Sequence, residues 1–341
     1  MKAFRRKVME PSNWIILIYQ MVFCYHVPIR PVAFVLRAVE TREGAGVKVR
    51  RAFGDPLVAH ETDPFLLLDD FGSRYPHEYL AGFPWHPHRG FETVTYVIKG
   101  EVHHEDSTGI RGVLNSGDVQ WMTAGSGIFH SEMPKPARRV VGDRVEEDPE
   151  HRGIQLWINL PPRLKMVRPH YRNLRGGNVP SGTTDDGIEV RVIAGRVSGL
   201  PGTGILEGPV ANVSIEAQDV SYLELLMPPE SRFEYPVREG YTAIAYVLEG
   251  EVLVPESPEK SVRVRERSAV LFEREGDRVV VTAGESPARL ILLSGRPIGE
   301  PIAWYGPIVM NTREELIQAF RELREGTFVK HKATEVDDLN P

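Results

Sequence analysis

One seven-residue stretch occurs twice. Tyr96-Val97-Ile98-Lys99-Gly100-Glu101-Val102 returns 150 positions later as Tyr246-Val247-Leu248-Glu249-Gly250-Glu251-Val252. Each copy reads as a strand, a glycine turn and a second strand. Around the first copy, short runs of strand character recur at near-regular spacing: Val47 to Phe53, Phe65 to Gly72, Gly117 to Gly125 and Arg152 to Pro161. That rhythm predicts a sandwich or barrel, and the repeat predicts two copies of it. The high content of turn formers, 31 glycines and 27 prolines, fits many short strands better than long helices.

A chain of 341 residues has room for two such domains, each with its own core. The boundaries expected are an N-terminal extension outside the fold (1–33), a first barrel (34–172), a polar, glycine-rich linker (173–187) and a second barrel (188–328). A tail without regular structure (329–341) is expected to follow. The stretch Asn311 to Phe328 reads as a helix packed on a barrel. Thr312 and Glu315 form a capping box, Leu316, Ile317, Phe320 and Leu323 an apolar stripe, and Gly326 the stop. The opening thirty residues combine a basic start with an apolar run, Trp14 to Cys24, that is too short to cross a bilayer and lacks a small-residue cleavage signal. No membrane role and a cytoplasmic location are expected. The net charge of −6 argues against nucleic-acid binding. Cys24 is the single cysteine, which rules out an intrachain disulfide and a thiolate zinc site.

Histidines concentrate between Gly82 and Pro134. Along a strand, residues two apart share a face, so His86 projects with His88, and His130 with Glu132. Two such pairs facing each other inside a barrel supply three imidazoles and a carboxylate. This donor set suits Fe(II), and also Mn, Ni, Co, Cu or Zn, and leaves positions open on a six-coordinate ion. A lone histidine on a strand is more often a core or surface residue. His60, His77, His151 and His170 have no partner at ligand spacing, and the adjacent His103 and His104 are read as solvent-facing.

The stretches FPWHPHRGFETVTYVIKGEV, GDVQWMTAGSGIFHSEMP and GEPIAWYGPIVMNTREEL resemble the pirin family, a branch of the bicupins, and the likeness runs from about Leu36 to Phe328. The resemblance implies an all-β fold of two cupin barrels packed face to face, with one non-haem metal in the N-terminal barrel and none in the C-terminal one. The family's ligands fall on His86, His88, His130 and Glu132. Moving those positions by 150 residues reaches Pro236, Arg238, Val280 and Thr282, none an imidazole, thiolate or carboxylate. Other cupins use a pattern HxHxxxE, which Glu92 completes here with the same strand parity as both histidines. Glu132 is favoured as ligand, with Glu92 left to orient a ligand or handle a proton. Trp85 departs from the small or acidic residue more usual in the family, and a ring there is expected to narrow the pocket mouth.

The residues beside the ligand positions, Phe83, Trp85, Met122, Phe129 and Met133, are mostly apolar and suggest a slot for a flat aromatic ligand. The resemblance implies an activity like quercetin 2,3-dioxygenase. A flavonol or related enol or catechol would give up a proton to Glu132 or Glu92, and O2 would open its ring with loss of CO. The alternative is a redox-sensing regulator that modulates a protein partner through its metal state. A monomer is expected.

Overall fold

The repeated segment sits where two barrels meet. In the computed structural model, residues 29–337 are described, apart from 142–143, 203 and 210–212. Each barrel is built from one large and one four-stranded sheet. In the N-terminal barrel, the large sheet runs in the order Val39–Glu43, Val47–Phe53, Phe65–Phe71, Arg152–Asn159, Phe91–Lys99, Val119–Thr123, His170–Leu174 and Thr334–Asp337. Its small sheet holds Phe83–His88, Ile128–Lys135, Glu101–Asp106 and Arg111–Leu114. The C-terminal barrel repeats the arrangement, with the repeated strand Thr242–Glu249 inside its large sheet. This is the all-β, two-cupin architecture expected. No helix among the described residues is long and apolar enough to cross a membrane.

The outer faces of the two large sheets pack on each other and form one hydrophobic core. Val94, Trp121, Ile154 and Leu156 come from the first barrel, and Tyr222, Ile244, Ile291 and Leu293 from the second. Strands buried on both faces cannot alternate apolar with polar residues. All of Phe65–Phe71 is accordingly buried. The repeated tyrosines meet here in a reciprocal exchange. Tyr96 Oη donates to Glu224 of the second barrel at 2.7 Å, and Tyr246 Oη donates to Asp70 of the first at 3.2 Å. Both carboxylates are completely buried. Each is held by arginines: Glu224 by Arg191 and Arg289, and Asp70 by Arg152, with Arg50 at 3.8 Å. The turn glycines of the repeat, Gly100 and Gly250, both have positive φ (97° and 74°), as the tight strand reversal requires.

The barrel interiors differ. The second is filled by aliphatic and aromatic side chains such as Val190, Leu223, Phe233, Val247 and Val281. The first contains histidines, carboxylates and a cavity.

The expected boundaries need correction, because the chain crosses between barrels at both ends. Residues 1–28 of the expected extension lie outside the described residues. Arg30 is fully buried and donates to the carbonyls of Val237, Tyr241 and Gly276. The strand Val32–Arg37 pairs with Ser268–Phe272 and so belongs to the second barrel. The expected linker contains the end of a first-barrel strand, His170–Leu174, a short 3-10 turn and the second-barrel strand Ser181–Thr183. Within the expected tail, Thr334–Asp337 pairs in parallel with His170–Leu174. Local residue pattern gives a strand but not its partner, so neither exchange was readable. The helix is Arg313–Glu325, with the Thr312/Glu315 capping box formed and Gly326 left-handed. It buries Ala319 and half-buries Leu316, Phe320 and Leu323, while Ile317 of the expected stripe is exposed.

Replacing either repeated tyrosine with phenylalanine removes a donor from a buried carboxylate. Tyr96→Phe and Tyr246→Phe are each expected to lower unfolding stability by about 1.5–3 kcal/mol, measured by urea denaturation.

Candidate metal centre

Strand Phe83–His88 lies antiparallel to Ile128–Lys135, with His86 opposite His130. A register irregularity between His130 and Glu132 sets Glu132 opposite Phe83. The two-residue repeat puts both histidines of the first strand on one side, and the neighbouring strand supplies the third. The candidate ligand nitrogens of His86, His88 and His130 lie within 4.8 Å of one another.

The hydrogen bonds decide the tautomers of two rings. His86 Nδ1 is 2.8 Å from the Pro84 carbonyl, and His88 Nδ1 is 3.3 Å from the Pro307 carbonyl. A carbonyl only accepts, so each Nδ1 carries the proton and each Nε2 keeps its lone pair. Among the described residues, neither ring nitrogen of His130 has a hydrogen-bond partner, although the residue is buried. Burial pushes all three imidazoles to lower pKa, most strongly for His88 and His130, where neighbouring imidazoles add to the effect. Rings that converge lone pairs in a mostly buried site, one with no hydrogen-bond partner among the described residues, are unfavourable by themselves and fit a divalent cation.

Glu132 lies beside this cluster. Its Oε2 is 3.9 Å from His130 Nε2, and its Oε1 accepts from Thr95 Oγ1 at 2.8 Å. Burial raises its pKa to about 7. Thr95 also lies 2.6 Å from the Gln155 amide.

Glu92, the competing carboxylate, is elsewhere. It accepts from Trp121 Nε1 at 2.8 Å, from Thr123 Oγ1 at 2.5 Å and from Ser214 of the second barrel, at the interface between the barrels. The parity argument fails at Arg89-Gly90, where one strand ends and the next begins in a different sheet. Gly90 has φ +86°, and a Cβ there would stand 1.9 Å from the Val309 carbonyl oxygen. Glu92 therefore staples the barrels together and is corrected as a group acting at the histidine cluster.

A cavity of about 440 Å³ opens over His86, His88 and Glu132. Its apolar wall is Phe71, Phe83, Leu67, Trp157, Trp304 and Pro307. Of the five apolar residues expected here, only Phe83 lines it. Trp85 (51% exposed), Phe129 and Met133 are sequence neighbours of ligand positions, so they point to the opposite face of their strands. Trp85 thus does not narrow the cavity. Met122 is buried in a separate cluster with Ala124, Ile128 and Tyr171. His104, expected at the surface, is 5% exposed and accepts from Gln120 Nε2 at 2.9 Å.

The returning C-terminal segment closes one side of the site, and sequence reasoning missed this. Arg89, beside His88, pairs with Glu322 at 2.7 Å and donates to the Phe328 carbonyl at 2.7 Å. Lys165 Nζ, buried, donates to the carbonyls of Gly90 and Val309 and to Asn159. Burial lowers its pKa to about 7. The available signal was the GEPIAWYGPIVMNTREEL stretch, which carries Trp304 and Pro307.

Two facing cupin barrels, the first with a cluster of three histidines (His88 and His130 buried, His86 half-buried) and the second with an aliphatic and aromatic interior, define a bicupin with one candidate metal centre among the described residues. Residues 46–158 match the Pirin family and residues 222–329 its Pirin C-terminal cupin domain. The chain belongs to the pirin family. A Thermoplasma acidophilum protein provisionally named a quercetin 2,3-dioxygenase is 45% identical, over 77% of this chain and 98% of that one. A Caulobacter vibrioides pirin-like protein is 42% identical, over 88% of this chain and 100% of that one. A crystal structure of quercetin 2,3-dioxygenase from Acinetobacter baumannii superposes with TM-score 0.74 at 30% identity, covering 88% of this chain and 99% of that one.

The raised Glu132 pKa has a stability consequence with a definite sign. The unfolded carboxyl ionises near 4.5 and the folded one near 7, so without metal this group makes the fold less stable as pH rises through that window. The three imidazoles with lowered pKa push the other way in both proteins, so the melting temperature of metal-free wild type is expected to fall relative to that of Glu132→Gln between pH 4.5 and 8. Added divalent metal should reverse the wild-type loss, because ligation favours the ionised carboxylate.

Proposed function

We propose that this protein is a metal-dependent dioxygenase that opens flavonol-type enols, or a related enol or catechol, with O2. The observation that carries the reading is the buried His130 ring, without a hydrogen-bond partner among the described residues, converging with His86 and His88 at a cavity whose walls are largely aromatic. The relatives named as quercetin 2,3-dioxygenases support the same chemistry.

His86, His88, His130 and Glu132 would hold the ion, with Fe(II) first and Mn, Ni, Co, Cu or Zn also compatible with three imidazoles and a carboxylate. When bound, such an ion polarises an enolate and gives O2 a place to react. The protein's own groups set up that chemistry. Pro84 and Pro307 fix the ring orientations of His86 and His88 through their carbonyls. Thr95 holds Glu132 Oε1, leaving Oε2 on the histidine side. Once the ion is held, the ionised Glu132 carboxylate would be the group beside it to take the enol proton. Trp157, Trp304, Phe71 and Phe83 give a flat ring apolar contacts and exclude water from the reacting end.

Iron-loaded wild type is expected to consume O2 and release CO when quercetin is added, followed with an oxygen electrode and CO detection. His88→Ala should lose bound iron by elemental analysis, and the activity with it. Glu132→Gln should lower kcat/KM by about 10²-fold or more. Full metal occupancy with no O2 uptake for any flavonol or catechol would overturn the enzymatic reading and favour a metal-responsive regulator.

A further inference from the structure

The cavity has a second polar end, remote from the histidines. Arg51, Asp69, Gln155 and Thr95 occupy one register level on four neighbouring strands: Arg51 is opposite Asp69, Asp69 opposite Gln155, and Gln155 opposite Thr95. Thr95 touches Glu132 at the metal end. Strands lie about 4.8 Å apart, so the row reaches Asp69 after about 10 Å and Arg51 after about 14 Å. Apolar side chains flank it at the register levels on either side: Val49 and Phe71 on one, Leu67 and Trp157 on the other. The cavity floor is therefore a polar stripe between two greasy ones.

Charge at the far end is unbalanced. Among the described residues that line the cavity, Arg51 is the one lysine or arginine. It forks onto Asp69 at 2.9 and 2.7 Å and also meets Glu43 at 2.9 Å. Two carboxylates that line the cavity share one guanidinium, which leaves an excess negative charge and more carboxylate lone pairs than Arg51 uses. That wall accepts hydrogen bonds and repels anions.

We propose that Glu43, Asp69 and Arg51 form a specificity subsite that reads neutral hydroxyl donors on the end of an elongated aromatic ligand remote from its metal-chelating group, and rejects a carboxylate there. The proposal rests on the metal-anchored reading of the cavity given above. It adds that the ligand is long enough to span both ends and carries hydroxyls at the far one.

The test is equilibrium binding to Zn(II)-loaded protein, which is redox-inert, read by quenching of tryptophan fluorescence. The probes are 3-hydroxyflavone, its 7-hydroxy and 3′,4′-dihydroxy derivatives, and its 4′-carboxylate. Wild type should bind at least one hydroxylated probe about tenfold more tightly than the parent, since hydrogen bonds to charged acceptors discriminate on that scale, and should bind the carboxylate worst. Glu43→Gln, at the cavity rim, and Asp69→Asn, checked for folding by circular dichroism, should shrink the hydroxyl preference and improve carboxylate binding. Equal affinity across the series, or a preference unchanged in Glu43→Gln, overturns the subsite while leaving the dioxygenase reading intact. The expected preference together with no O2 uptake by the iron form upholds the subsite and overturns the reaction. Failure of wild type to bind any of the probes overturns both.

Discussion

Everything in this structure depends on two sheets that must hide both of their faces. The large sheet of each barrel is apolar on its outer side, and that side has nowhere to go except against its counterpart. Once the barrels are joined, each inner face is free to differ. The second barrel fills its interior with hydrocarbon, while the first spends its interior on imidazoles, carboxylates and an open cavity. A polar, hollow barrel is a poor folding unit by itself. Here the apolar contact outside it supplies what the interior gives up.

The polar contacts in that interface are as reciprocal as the apolar ones. Tyr96 reaches the second barrel's Glu224, and Tyr246 reaches the first barrel's Asp70. Buried charges of this kind tolerate only one alignment, because a shift would strand a carboxylate between arginines without its tyrosine. The repeat seen in the sequence is therefore the trace of two equivalent strands doing the same task in opposite directions.

Much of the fold was legible in the sequence because its signals are local: strand rhythm, glycine turns, the capped helix and the duplicated heptad. Paired histidines at two-residue spacing were legible for the same reason, and the structure brings those three rings together. Three kinds of error were also physical. Glu92 was misassigned because Gly90 breaks the strand and resets which face the next residues occupy. Trp85, Phe129 and Met133 were taken for pocket wall because they are adjacent to ligand positions in sequence, when adjacency on a strand means the opposite side. His104 was placed outside although Gln120 holds it inside. The residues that do shape the cavity, Asp69, Gln155, Trp157 and Trp304, come from distant strands whose pairing no local pattern encodes.

The crossing of the chain ends carries a consequence for biosynthesis. The strand Val32–Arg37 waits for a partner, Ser268–Phe272, made more than two hundred residues later, and the first barrel waits for Pro307, Val309 and Glu322. On the ribosome, the histidine cluster is complete in sequence long before the carbonyl that orients His88 has been synthesised. A nascent or prematurely ended chain would hold its three imidazoles in a barrel open on one side. The surroundings of the cluster are therefore finished only after residues 307–322 have been made, so the order of synthesis runs opposite to the order in which the site is enclosed.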